Sequence, residues 1–285
     1  MKQKIDKIGI IGLGLIGGSF ARALKNTMNI KIYGNDKFHL QEAKKLGLID
    51  EQLTDENISM MDIIIIATPV NTIGEISKKI LNDIHPNALI FDTGSTKHKI
   101  AMEIHNHPKR DQFLLAHPIA GTEYSGPSAA YESLYENKIN ILCDTEKTRK
   151  DLLKKAWYIF EALKMKIIRM DSKEHDRHIA YVSHLSHISS FMLGKTVMDL
   201  EKDEKNIFQM AGSGFASTVR LAKSSPDTWT PIFMENKENI IKALDEYLEN
   251  LHLFKEMLIK HEAPKIKNQL KETNHIKNII DKLNS

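Results

Sequence analysis

The sequence holds a single cysteine, Cys143, so no disulfide can form within the chain. Its place in the strand-like run KINILC marks it as a core residue, in keeping with a reducing cytoplasm. Charge of one sign is equally scarce. The 40 basic residues face 37 acidic ones, a formal balance of +3, and they are spread along the chain without a basic block to track a phosphate backbone, so no nucleic acid partner is expected. Long hydrophobic runs are missing too. IIIIA at 63–67 and the segment opening at Ile8 fall far short of a membrane span, and no signal peptide precedes them. Repeats and low-complexity tracts are absent. What is left is a soluble, cytoplasmic protein without a membrane partner, and 285 residues with 41% hydrophobic content suffice for two domains.

What the chain does have is alternation. Up to about residue 170, short β-branched runs (KIGIIG, IKIYG, DIIIIA, ALIFD, FLLAH, INILC, MKIIRM) are separated by stretches of helical periodicity such as Ile16 to Lys25 and Ile73 to Leu81. That pattern predicts an α/β domain with a parallel, doubly wound sheet over residues 1–170. From Asp171 onward the strand signal disappears. Helical segments at Ser172–Met198, Pro226–Lys260 and Ala263–Leu283 predict an all-α domain over residues 171–285. With no strands to cover its apolar stripes, this half is expected to bury them against a second copy of itself, giving a homodimer.

The segment GIIGLGLIGGSFARAL sets Gly12, Gly14 and Gly17 in GxGxxG spacing, directly after the first strand and at the mouth of a helix. In that context the first glycine allows a tight turn, the second lets a pyrophosphate approach the backbone, and the third lets helix pack on strand. Leu15 and Ile16 lie between them, where helix N-terminal amides meet an anion. The second strand ends in YGND, which puts Asp36 where a carboxylate accepts from ribose hydroxyls and repels a 2′-phosphate. NAD is therefore the expected cofactor, although the neighbouring Lys37 would partly offset that repulsion.

Three further motifs share one position. ATPV follows the third strand, DTGSTK the fourth and AHPIAG the fifth, all at the carboxyl ends where ligands bind in open α/β sheets. Thr68, Pro69, Ser95 and His117 should thus converge near the cofactor, with Thr68, Pro69 and Ser95 touching it. Pro118 stiffens the backbone after His117, so the imidazole is presented on a rigid loop, and a catalytic role with Ser95 in support is expected.

In the helical half, SHLSH places His184 and His187 on one helix face as candidate substrate ligands. With His175 and His178 they could look like a metal site, but no carboxylate–histidine zinc pattern accompanies them, so no metal is expected. Further on, AGSGFASTVRLAKSSPDTW joins a glycine-rich turn to a helix carrying Arg220, whose fork suits a carboxylate.

Taken together, GLGLIGGS, DTGSTK, HPIAGTEYSG, HDRHIAYVSHLSH and GSGFASTVRLAKSSPDTW resemble, in order and over essentially the whole chain, the prephenate dehydrogenase family, which includes arogenate dehydrogenases. The resemblance implies a Rossmann-type domain followed by a helical dimerisation domain, and NAD-dependent oxidative decarboxylation of prephenate to 4-hydroxyphenylpyruvate on the route to tyrosine. By the same resemblance His117 matches the catalytic histidine, Ser95 its serine partner, His187 a substrate-side histidine, Arg220 a substrate carboxylate ligand and Glu123 a residue at the pocket entrance. In that chemistry a neutral imidazole withdraws the hydroxyl proton as hydride leaves, a contribution of roughly 10² to 10⁴ in rate.

The chain also departs from the family pattern. Ser186 stands where typical members have a proline, Ala216 and Ser217 where some have Lys-Asp, and Tyr124 where a lysine is often found, which strips charges from any gate around Glu123. With the sequence ending near 285, neither the regulatory ACT domain nor the chorismate mutase fusion of some members is expected, and any feedback control is expected to act at the active site. Arogenate, with an ammonium for Glu123 to meet, is the alternative substrate. A non-catalytic NAD-sensing module is a more distant alternative, which would need the glycines but not His117.

Overall fold

The computed structural model describes residues 5–204 and 206–284. Its sheet is built from β1 (Lys7–Ile11), β2 (Lys31–Asn35), β3 (Glu51–Gln52), β4 (Ile63–Ile66), β5 (Leu89–Asp92), β6 (Phe113–Pro118), β7 (Ile139–Cys143) and β8 (Lys166–Met170). They lie in the order β3-β2-β1-β4-β5-β6-β7-β8. Apolar residues without alternation make the central strands, because both faces are covered: every residue of β4 and of β5 is buried. Ile63 and Ile65 turn to one face, where Phe20 and Leu24 of helix α1 (Leu15–Thr27) join the core. Ile64 and Ile66 turn to the other, with the later helix α3 (Val70–Asp83) supplying Ile73 and Ile80 after the short α2 (Leu40–Lys45). This is the Rossmann-type doubly wound architecture. The strand order reverses at β1, between β2 and β4, which opens a crevice at the carboxyl ends of the strands.

The sheet is not parallel throughout, contrary to the expectation from the strand runs. β1 to β6 run in one direction, whereas β7 pairs antiparallel with β6, with His117 opposite Ile141, and β8 runs parallel to β7. The cause is the link between β6 and β7. It contains only single helical turns at Pro127–Ala129 and Glu132–Tyr135, no helix that could carry the chain back across the sheet, so β7 starts from the edge where β6 ends. The strand β3 escaped the sequence pattern because its two residues are both exposed.

Helices α4 (His98–Glu103) and α5 (Lys150–Ala162) complete the α/β part. Beyond it come α6 (Ser172–Ile179), a π-helical turn at Ala180–His184, α7 (Leu185–Asp203), α8 (Ser213–Thr218), α9 (Pro226–Glu235), α10 (Lys237–Ile259), α11 (Ala263–Thr273) and α12 (Ile276–Asn284). The segment expected over 226–260 is broken at Asn236, and the one over 263–283 at Asn274 and His275. Arg220 is not inside a helix as expected but opens a single turn, Arg220–Lys223, after α8.

The start of α6 is fastened to the end of β7. Asp144, in the left-handed region at φ 50°, accepts from the Ser172 amide at 2.9 Å and its hydroxyl at 3.1 Å, while Asp171 caps the helix by accepting from the Lys173 and Glu174 amides. The chain divides into two compact units, Met1–Lys237 and Glu238–Ser285. The first holds the whole sheet together with α6 to α9. Within the second, Leu251, Leu258 and Ile259 of α10 and Ile276, Ile279 and Ile280 of α12 stay exposed. Among the described residues, no helix is long and apolar enough to cross a membrane.

Candidate active site

After β1 the chain turns through Gly12 at φ +92°, and a Cβ there would sit 2.4 Å from the Ala67 carbonyl oxygen. A Cβ on Gly17 would come within 1.9 Å of the Gly12 carbonyl oxygen, so this glycine is what lets α1 start hard against the strand end. Gly14 is different. Nothing lies within 4 Å of a Cβ built on it, which leaves a cradle over the helix mouth. α1 begins at that point with no side-chain cap and no acid in its first turn, so the leading amides at Leu15, Ile16 and Gly17 face an opening suited to a pyrophosphate.

Asp36 follows β2 and lies against this turn. Its Oδ2 accepts from the Leu13 amide at 2.7 Å, and its Oδ1 from the amides of Phe38 and His39, both at 2.8 Å. A carboxylate offers about four lone-pair sites, so the acid expected to meet a ribose clamps the glycine turn and still has acceptor capacity. Thr68 and Pro69 follow β4, Ser95 follows β5 and His117 lies near the end of β6. Since β1, β4, β5 and β6 are parallel neighbours, these residues share one edge with the glycine turn. Thr68 is fixed there by the Thr72 hydroxyl, which donates to its Oγ1 at 2.9 Å.

His117 is only 8% exposed, and its partner is not the expected serine. Among the described residues no hydrogen bond joins Ser95 to His117. Instead the Nδ1 of His117 lies 2.8 Å from the Nε2 of His175, whose own Nδ1 lies 2.7 Å from the Asp176 Oδ1. The carboxylate of Asp176 also accepts from the Lys97 amide at 2.7 Å and the His98 amide at 2.8 Å. A carboxylate only accepts, so His175 must donate from Nδ1 and therefore accept at Nε2. His117 then donates from Nδ1, which leaves its Nε2 a bare lone pair. Burial pushes the His117 imidazole well below its ordinary value of 6.5, helped by His175, Lys97 and His184. Burial lowers His175 as well, against the opposing pull of Asp176. At neutral pH both rings are uncharged, and the chain ends in a base.

The helical elements bring two more imidazoles to the site. Asn236 donates through Nδ2 to the Asp176 carbonyl at 2.7 Å and approaches the His184 Nδ1 at 3.2 Å, so His184 carries its proton on Nε2. That Nε2 is buried and has no partner among the described residues, and burial lowers the ring to about 4. His187 donates from Nδ1 to the Ser183 carbonyl at 2.9 Å and stacks on Trp229, ring centroids 3.4 Å apart. Ser183 belongs to the π-helical turn, a device that frees backbone carbonyls and is frequent at functional sites.

Arg220 is exposed, makes no ion pair among the described residues, and lies close enough to His187 to lower its imidazole in addition to burial. The turn that carries it is clipped to α7 by Ser190, whose hydroxyl donates to the Thr218 carbonyl at 3.0 Å and accepts from the Ala222 amide at 3.1 Å. The structure thus gathers His117, His184, His187 and Arg220. Glu123 is on an exposed loop, where with Tyr124, Ser125, Ser128 and Ala129 it lines an open depression. Ala216 and Ser217 are exposed on α8. No group of three or more His, Cys, Asp or Glu residues among those described could hold a metal ion. The sequence gives no separate indication of Asp176, Trp229, Asn236 or Ser190, and it offers His175 as one of a group of histidines, as a metal ligand, a substrate ligand or part of a solvated face, not as the partner of His117. The one available signal was the adjacent His-Asp pair in HDRH.

Two family models match this chain: the nucleotide-binding domain of prephenate dehydrogenase over residues 20–169 and the prephenate dehydrogenase dimerization domain over residues 171–272. The prephenate dehydrogenase of Bacillus subtilis is 34% identical over 258 residues, which span 88% of this chain and 70% of its own. Among solved structures, prephenate dehydrogenase from A. aeolicus in complex with hydroxyphenyl propionate and NAD+ matches with a TM-score of 0.90 at 33% identity, covering 98% of this chain and 100% of that one. The arogenate dehydrogenase of Synechocystis matches with a TM-score of 0.79 at 27% identity over 95% of this chain and 99% of its own. With both halves matched in order, and with a relative this similar over most of its length, the chain belongs to the prephenate dehydrogenase family.

Proposed function

We propose that this protein is a cytoplasmic enzyme that oxidises prephenate with NAD to 4-hydroxyphenylpyruvate and carbon dioxide, a step toward tyrosine. The observation that carries the reading is the His117–His175–Asp176 chain, which ends in an unprotonated Nε2 at the strand edge beside the glycine turn. Residues 1–170 hold the cofactor, and residues 171–285 supply the substrate ligands and the dimer contact. Gly12, Gly14, Leu15, Ile16 and Gly17 receive the pyrophosphate, Asp36 the ribose, and Thr68, Pro69 and Ser95 the nicotinamide end. NAD supplies, when bound, the acceptor for the hydride.

His117 accepts the proton of the substrate hydroxyl at Nε2 as the ring carbon is oxidised to a ketone. The imidazolium so formed is held by His175, with the Asp176 carboxylate behind it. The carbon–carboxylate bond then breaks toward the ketone, carbon dioxide leaves, and the proton stored on His117 returns to the oxygen to complete the phenol. Arg220 and His187 hold the anionic groups of the substrate, and His184 donates from its unpaired Nε2. Appearance of the NADH absorbance band with prephenate tests the reading, with arogenate and NADP run beside it. Turnover of neither substrate would overturn it, and equal efficiency with NADP would overturn the assignment of Asp36.

His117→Asn is expected to lower kcat by roughly 10²-fold or more while binding of NAD and substrate changes little, because asparagine can hydrogen-bond the hydroxyl but cannot take its proton. Since burial favours the neutral ring, wild-type kcat/KM should stay on its plateau as the pH falls through 6.5 and drop only below it, where His117 is protonated in the free enzyme. An acid limb at or above 6.5 would contradict the buried base.

Arg220→Ala is expected to raise KM for prephenate about ten- to a hundred-fold through loss of a charge-assisted pair worth roughly 1.5–3 kcal/mol, with KM for NAD little changed. Unaltered kinetics would remove Arg220 from the substrate site. The exposed apolar residues of α10 and α12, with Ile276, Ile279 and Ile280 at one-face helical spacing, favour a homodimer through the helical half. Light scattering at micromolar concentration should give twice the chain mass, and a stable monomer would refute this.

A further inference from the structure

The proposed reaction makes no use of the most deeply buried charges in the molecule, Lys97 and Asp92, which are both 0% exposed and form an ion pair. They sit where the sheet needs help. The β5–β6 ladder runs only from Ile90 opposite Phe113 to Phe91 opposite Leu114, so the last turn of β6 before His117 lacks backbone partners on that side. The side chains take over. Lys97 Nζ donates to the Ala116 carbonyl at 2.8 Å, and Asp92 Oδ1 accepts from the Ala116 amide at 3.2 Å, so the residue directly before His117 is gripped at both ends of its backbone. Asp92 Oδ2 also accepts from the Gly94 amide at 2.9 Å, which fixes the loop carrying Ser95 and Lys97. The other end of Lys97 faces the second support of the base, because its amide donates to the Asp176 Oδ1 that orients His175.

We propose that Lys97 is a positioning residue for the base: its ammonium, paired with Asp92, fixes the strand that carries His117, while its amide fixes the carboxylate behind His175. The inference rests on the dehydrogenase reading. A buried ion pair is a poor device for stability alone, since a hydrophobic pair of similar volume often serves folding as well or better. Its use in this structure follows from its two addresses, one on each support of the same imidazole pair. The ammonium also bears on the charge of that pair. It is faced by Asp92 from β5, His117 from β6, Cys143 from β7 and His175 from α6; His175 and Cys143 are also faced by Asp176, and His117 by His184 from the π-helical turn. As a nearby cation, Lys97 disfavours protonation of both His117 and His175.

The test compares the wild-type protein with Lys97→Met and with the double variant Lys97→Met/Asp92→Asn, which leaves no unpaired buried charge. Circular dichroism establishes folding, and kcat, KM and the NAD dissociation constant are measured on the substrate that the wild type oxidises. Nitrogen NMR follows titration of the imidazoles in the free protein. A folded double variant should bind NAD and substrate within about threefold of wild type, lose roughly tenfold or more in kcat, and show the His117 titration and the acid limb of kcat/KM moved to higher pH. A folded double variant with wild-type kcat, or with an unmoved titration, overturns the proposal. So does a double variant that fails to fold, because Lys97 would then act through stability. The NMR titration needs no turnover. A wild type inactive on both prephenate and arogenate therefore refutes the reaction, whereas unchanged imidazoles refute the role of Lys97.

Discussion

A buried carboxylate can only accept hydrogen bonds, and from that constraint on Asp176 the protonation pattern of the site follows. His175 must donate to it, His117 must donate to His175, and the outermost nitrogen is left without a proton. Two backbone amides also donate to the carboxylate, so it holds three hydrogen bonds, none of them from a lysine or arginine side chain among the described residues. Burial acts in the same direction, since both rings lose the solvation that a charge would require. Tautomer, charge and orientation are thus set together by one group at the second remove from the substrate.

The same carboxylate explains why sheet and helices beyond residue 170 share one compact unit. Asp176 and His175 belong to α6, Lys97 and His98 to the loop and helix after β5, and His117 to β6, so the base is assembled from three elements that meet only in the folded chain. The reversed strand β7 matters for this assembly. It delivers Asp144 to the place where α6 begins, and the two bonds from Ser172 to Asp144 set the helix start from which His175 projects three residues later.

Much of this was legible in sequence because it is local. Glycine spacing gives the turn before α1, unbroken isoleucine gives β4, and parallel strands bring Thr68, Ser95 and His117 to one edge whatever the details. What escaped depends on contacts between distant residues. His175 lies 58 positions from His117, and on its own helix it reads as one of several histidines without a stated partner. Asp176 reads as a solvated helix acid until the amides of Lys97 and His98 are seen on it. The direction of β7 is set by what its connection lacks, a crossover helix, and an absence of that kind leaves no motif. The π-helical turn is equally silent, since AYVSH fits an ordinary helix until the Ser183 carbonyl is found paired with His187.

Asp36 carries an evolutionary consequence. Its two oxygens hold the amides of Leu13, Phe38 and His39, so the acid proposed to face the ribose is also the keystone of two turns. In a protein where that acid touched only cofactor, one substitution and a nearby cation could open the way to a phosphorylated dinucleotide. In this chain the same substitution strands three amides and loosens the mouth of α1. Cofactor choice is therefore buffered against single mutations, and a lineage that changed it would have to pass through a weakened glycine turn or rebuild both turns at once.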